Sequence, residues 1–101
     1  MISMEQPPQT ELVSIEINQA ICHLKLNRET KFNALNVQLI TELCTLFDWT
    51  AERSVGRQGD LHDSNGKPFL RIIVLSGAGR HFCAGADINM MRDAGANTAE
   101  E

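Results

Sequence analysis

The sequence has almost nothing that marks a membrane or secreted protein. No apolar run approaches the roughly 20 residues that span a bilayer, so no membrane association is expected. The start, MISMEQPPQTE, has neither a basic opening nor an apolar h-region, so no signal peptide is expected. Excess positive charge is also missing. A net charge of −4 argues against nucleic acid as a main partner. Cysteines are few and odd in number: Cys22, Cys44 and Cys83 are widely spaced and form no CxxC pair. His23, His62 and His81 lack ligand spacing, so no metal site is expected. Reduced thiols in a cytoplasmic protein are the simplest account of this cysteine usage. There is no internal repeat and no low-complexity tract.

Apolar residues make up 43% of the chain, a value typical of globular proteins. Residues 1–11, 54–68 and 93–101 are polar, which leaves about 66 residues for a packed part, near the lower limit for an independent core. Residues 1–11 read as a mobile arm, with Pro7 and Pro8 blocking regular structure. Val13, Ile15 and Ile17 then alternate with polar residues, as do Cys22, Leu24 and Leu26. Period-two alternation on both sides of Asn18-Gln19 predicts an antiparallel hairpin, 12–17 and 20–26. Residues 27–35 keep neither period and read as a loop. Asn36 is placed to cap a helix over 37–52. In that helix Leu39, Ile40, Leu43, Cys44, Leu46 and Phe47 recur at helical spacing. Gln38, Thr41, Glu42, Thr45 and Asp48 fall on its outer face.

The segment 54–68 is a long polar loop. Leu70 to Leu75 follows, apolar on both faces beyond Arg71, as in a covered parallel strand. It leads through Gly77-Ala78-Gly79 into Phe82-Cys83-Ala84-Gly85-Ala86-Asp87-Ile88, and a short helix is expected to open near 86–88 and fade by Gly95. Strand, strand, helix, strand, loop, helix is an α/β order with a leading hairpin. Small residues let a ligand approach the main chain, and the first N–H groups of a helix lack internal partners. The strand–loop–helix is therefore a place where main-chain N–H groups can meet a developing oxyanion.

Two blocks in this order resemble the crotonase (enoyl-CoA hydratase/isomerase) superfamily. Asn27 to Asn36 is similar to that family's LNRPEKxNALN segment, and Phe82 to Ile88 to its FCAGADL segment, with the strand Ile72–Leu75 and its glycine turn between. The resemblance covers residues 12–93. It implies a crotonase-like ββα spiral unit, incomplete here, with 12–101 as its N-terminal part. It implies acyl thioesters of coenzyme A as substrates, with coenzyme A entering as part of the substrate and no permanently bound cofactor. In the intact enzyme, hydration of a 2,3-enoyl-CoA is the reaction expected first. By position, the N–H of Ala86 would be one oxyanion donor, a group of a kind that contributes about 2.7–4 kcal/mol to a transition state. The small size of Gly85 and Ala86 would leave the thioester room. Arg28, Lys31, Phe32 and Ala34 would line the coenzyme side. Ala84, Asp87, Ile88 and Asn89 would frame the acyl and adenine contacts. The resemblance also implies a homo-oligomer, trimer or hexamer. Gly85 to Arg92 is further similar to the GADLNWM of methylglutaconyl-CoA hydratases and their geranyl-type relatives.

The sequence departs from the family in two places. The loop 54–68 is longer than usual. The chain also ends at Glu101, whereas family members are much longer, with a second donor in a Gly-rich NGxxxGGG segment and catalytic glutamates downstream. Glu100 and Glu101 match neither. The expectation is an N-terminal fragment, inactive alone.

Other readings of the same residues stand beside this one. A dinucleotide loop would need a third glycine at position 82, which is Phe82. Gly77 and Gly79 then read as a strand-exit turn. Cys83, close to His81, is either a nucleophile or a small apolar packing residue. Asp87 is either a general base or a carboxylate in the first turn of a helix, where the dipole favours it. Arg28 and Lys31 either meet coenzyme phosphates or are solvated loop charges. Trp49, Phe47 and the aliphatic stripe read as core or subunit contacts. A non-catalytic acyl-CoA-binding or structural module is the alternative to an enzyme.

Overall fold

The computed structural model of the chain describes residues 6–54 and 61–98. The first five residues of the expected arm, positions 55–60 of the long loop and the acidic tail 99–101 lie outside them. The two alternating runs pair as the pattern predicts. Strand β1 (Val13–Asn18) lies antiparallel to β2 (Ile21–Leu26), with Val13 opposite Leu26 and Ile17 opposite Cys22. The turn between them places Gln19 at φ 57°. Strand β3 (Ile72–Gly77) then lies parallel to β2, giving the order β1-β2-β3.

Helix α1 (Val37–Glu52) starts where its cap predicts. The Asn36 side chain accepts the Leu39 N–H at 2.8 Å, satisfying one of the donors a helix start leaves free. The helix lies over the sheet and buries Leu39, Leu46, Trp49 and Thr50, with Leu43 partly buried beside them. With Val13, Cys22, Leu24, Leu26 and Leu70 they form the core. Thr50 is tolerated there because its hydroxyl donates to the Phe47 carbonyl at 2.9 Å. Arg53 covers the Trp49 ring, its guanidinium carbon 4.2 Å from the ring centroid. Burial pushes the Cys22 thiol pKa up.

Several expectations change. The buried row of α1 is narrower than the apolar stripe: Ile40, Cys44 and Phe47 are exposed, because only the row through 39, 43, 46 and 50 faces the sheet. The third strand begins two residues late. The Leu70 N–H donates to the Arg53 carbonyl at 2.6 Å and its side chain joins the core, so it serves the end of α1 rather than the sheet. Strand β3 is also not covered. Ile72, Ile73, Val74 and Leu75 are 38–54% exposed, and among the described residues β3 is the end strand, flanked by β2. Helix α2 (Ile88–Thr98) continues past Gly95.

The inner end of the expected arm is tied down. One carboxylate oxygen of Glu42 accepts the N–H groups of Glu11, Leu12 and Val13 at 3.0, 2.7 and 3.1 Å. The Thr10 hydroxyl donates to the Val13 carbonyl. Glu42 was expected to be a solvated residue of the outer helix face; it is instead the acceptor that starts β1. In the long loop, Asp63 turns the chain by accepting the N–H groups of Asn65 and Lys67 at 2.8 and 2.9 Å.

Candidate functional site

The segments 27–36 and 77–88 lie side by side. A short 3₁₀ turn, Glu29–Lys31, is followed by Phe32 at φ 55° and Asn33 at φ 59°, both left-handed. Asparagine is among the few residues that take this conformation readily. The turn aims the Asn33 side chain inward, where it is fully buried. Its Oδ1 accepts the Arg28 N–H at 2.8 Å, and its Nδ2 donates to the carbonyls of Ala78 and His81 at 2.9 and 2.7 Å. One amide thus ties the first segment to the exit of β3. Gly77 permits the approach: a Cβ there would press on the Phe82 and His81 carbonyl oxygens. Its role is close packing.

Further along, the Ala84 N–H donates to the Phe32 carbonyl at 3.0 Å, the Leu35 N–H to the Gly85 carbonyl at 2.7 Å, and the Asp87 N–H to the Leu35 carbonyl at 2.8 Å. Leu35 and Ala86 therefore form a parallel bridge. A trans peptide points its C=O and N–H in opposite directions. With the Gly85 carbonyl held by Leu35, the Ala86 N–H faces away from that strand. Among the described residues no group accepts it. Gly85 has φ +103°, and a Cβ there would meet nothing within 4 Å. Glycine is needed at 85 for its backbone angle, not for space.

Beside this N–H lies a cavity of about 480 Å³, within the range of small-molecule sites. Lys31, Phe32, Ala34, Ala84, Ala86, Asp87, Ile88 and Asn89 line it, and Thr30 joins them. Arg28 and Gly85 do not line it. Phe32 and Ile88 are 57% and 74% exposed, apolar side chains left in water at the rim. Lys31 is exposed there and, among the described residues, has no carboxylate partner.

Asp87 joins the two segments. Its Oδ2 accepts from Arg28 Nη1 at 2.8 Å, and its Oδ1 accepts the Met90 N–H at 3.1 Å at the start of α2. The same Arg28 nitrogen donates to the Ala34 carbonyl at 2.9 Å. The guanidinium hydrogen bond, then the Met90 N–H, hold the Asp87 carboxyl below the ordinary carboxylate range. A depressed folded pKa stabilises the fold above the unfolded value, about 3.9 for Asp. That contribution disappears as pH falls through the lower folded value. The stability difference between the parent and Asp87→Asn should therefore shrink as denaturant melts are taken from pH 6 downward. A constant difference would show that the ion pair contributes nothing.

Cys83 is half-buried against the core, and its sulfur accepts the Gly85 N–H at 3.4 Å. The His81 ring meets Phe32 edge-on at 5.0 Å instead. The packing reading of Cys83 is the one this geometry supports. Asn33 was missed in the sequence. The signal for it was a polar amide between Phe32 and Ala34 in a segment with no secondary-structure period.

Residues 16–101 match the enoyl-CoA hydratase/isomerase family. The mevalonyl-coenzyme A hydratase of Beauveria bassiana is 34% identical over 94 residues, 92% of this chain and 29% of that protein. The peroxisomal Δ(3,5)-Δ(2,4)-dienoyl-CoA isomerase of Arabidopsis thaliana is 28% identical over 90 residues, 89% of this chain and 27% of that one. Among solved structures, an enoyl-CoA hydratase from Thermoplasma volcanium matches with a TM-score of 0.57 and 31% identity. That match covers 86% of this chain and 30% of the other. An enoyl-CoA hydratase from Shewanella pealeana matches with a TM-score of 0.62 and 25% identity, over 90% and 31% of the two chains. This chain thus spans under a third of the length of each of these relatives.

Proposed function

The chain belongs to the enoyl-CoA hydratase/isomerase family, and from that membership and the cavity beside Ala86 we propose that it binds an acyl-coenzyme A thioester, with the Ala86 N–H donating to the thioester oxygen. The observation that carries the reading is the Ala86 N–H itself. It is held by the Leu35 bridge, has no acceptor among the described residues, and lies beside a cavity with apolar walls and a cation at its rim. A donor fixed before the ligand arrives needs no reorganisation when negative charge develops on the oxygen.

In this reading the reaction of the family fold is hydration of a 2,3-enoyl thioester. As a base takes a proton from water, the water oxygen bonds to C3, and the alkene electron pair moves toward C2 and the thioester oxygen, where the Ala86 N–H would stabilise it. C2 then takes a proton. Acid–base groups must deliver the water and the proton, and among the described residues the carboxylate lining the cavity, Asp87, is engaged by Arg28 and Met90. We therefore propose binding without turnover for these 101 residues. Coenzyme A enters as part of the substrate, with no resident cofactor. The compartment in this reading is the cytoplasm. Among the described residues no helix is long and apolar enough to cross a membrane. Trimers or hexamers belong to the same reading, and the exposed apolar strip of β3 with Phe47 is consistent with them.

Calorimetric titration with crotonyl-CoA and with free coenzyme A tests this. The thioester should bind more tightly than the free thiol, and absorbance of the enoyl thioester should stay constant with time. Equal affinity for both ligands would overturn the role of Ala86, and measurable hydration would overturn binding without turnover.

A further inference from the structure

We propose that Arg28 and Asp87 form a clip that sets the direction of the Ala86 N–H, so that Arg28 is a positioning residue rather than a contact for the coenzyme. The inference rests on the role given to Ala86 above and concerns what holds that donor in place.

Gly85 adds no side-chain restraint of its own. Gly85 has no side chain, and the space where a Cβ would stand is open. Glycine reaches many backbone conformations at similar energy, so the 85–86 peptide could turn over unless something else restrained it. The Leu35 bridge is one restraint, and its two hydrogen bonds flank Ala86.

Arg28 reinforces that bridge from outside. Its Nη1 donates to the Ala34 carbonyl at 2.9 Å and to Asp87 Oδ2 at 2.8 Å. Ala34 precedes Leu35 and Asp87 follows Ala86, so one nitrogen spans the bridged pair. The second Asp87 oxygen takes the Met90 N–H at 3.1 Å, which anchors the same residue to α2. Asp87 is thus held on three sides, and the short Gly85–Ala86 link hangs between fixed points. The Arg28 and Asp87 side chains are only 16% and 10% exposed. A charge-assisted hydrogen bond shielded in this way is among the stronger polar contacts in proteins. Arg28 does not line the cavity, and its Nη1 is committed twice within the protein.

The test uses Arg28→Met, Asp87→Asn and the double variant of the whole chain, with ¹H–¹⁵N spectra and titrations with crotonyl-CoA and free coenzyme A. Asp87→Asn is nearly isosteric and keeps an oxygen for the Met90 N–H, so it preserves the fold if Arg28→Met does not. Without ligand, the Ala86 amide resonance should shift or broaden in both single variants while the amides of α1 keep their positions. Each single variant should weaken crotonyl-CoA binding about tenfold, and Arg28→Met, whose side chain does not line the cavity, should leave free coenzyme A nearly unchanged. The double variant should be no worse than the singles.

An Ala86 amide unmoved in Asp87→Asn would overturn the proposal. So would a loss of free coenzyme A binding in Arg28→Met that Asp87→Asn does not share, the pattern of a phosphate contact. If the parent chain shows no preference for the thioester but its Ala86 amide still moves in the variants, the clip stands and the oxyanion reading fails.

Discussion

Asn33→Ala is expected to lower stability by about 3–5 kcal/mol, because it removes the partners of three part-buried main-chain groups at once. The Arg28 N–H loses its acceptor, and the Ala78 and His81 carbonyls lose their donor. Alanine also fits the φ of 59° at this position less well than asparagine. For a chain of this size the thermal midpoint should fall by about 15 °C or more. Asn33→Asp should not rescue it, since a carboxylate would face the same two carbonyl oxygens without a donor. Urea melts followed by circular dichroism measure the loss. A change under about 1 kcal/mol would mean that water replaces the amide and that the two segments are joined by other contacts.

The second large effect is expected at Gly77. In Gly77→Ala the new methyl would press against the Phe82 carbonyl oxygen, lie 2.7 Å from the His81 carbonyl oxygen and lie 2.8 Å from Asn33 Nδ2. Two of these neighbours are backbone and the third is locked by its own hydrogen bonds, so none can yield cheaply. Overpacking of this kind costs about 1–3 kcal/mol, sometimes more, and here the upper end is expected because the shift also breaks the Asn33 contacts. Gly85→Ala is the informative contrast. It meets open space and carries only the strain of φ +103°, about 1–3 kcal/mol. The two variants should therefore separate in crystal structures or amide spectra. Gly77→Ala should displace residues 78–83, whereas Gly85→Ala should disturb only the Gly85–Ala86 peptide. Similar disturbance by both would refute the division between a packing glycine and a conformational one.

The two glycines show how unevenly the site could be read before the structure. In sequence Gly77 reads as part of a strand-exit turn and Gly85 as part of a small-residue loop. Size explains Gly77 and backbone angle explains Gly85, and the difference depends on what stands 2–4 Å away. Arg28 is a second case. In sequence it reads as a phosphate contact or a solvated loop charge, and the structure adds a partner, Asp87, 59 residues further along the chain. Spacing carries no sign of such a pairing. Glu42 is a third, placed on the outer helix face by its period yet accepting three N–H groups about 30 residues upstream.

What the sequence determined by itself was local or periodic. The hairpin follows from alternation on both sides of Asn18-Gln19, and α1 from its stripe and the Asn36 cap. The parallel strand follows from its unbroken apolar run. The two blocks that resemble the family were legible because each is short and continuous. Tertiary structure decided which of their atoms are occupied. It assigned Asn33 to the loop carbonyls, Arg28 to Asp87 and Leu35 to Gly85, and left the Ala86 N–H open. It also decided that β3 stands at the sheet edge with its apolar face exposed. The physical reason is the same throughout. Side-chain periodicity is set by backbone geometry within a few residues, whereas hydrogen-bond partners are chosen among groups that only the folded chain brings within about 3 Å.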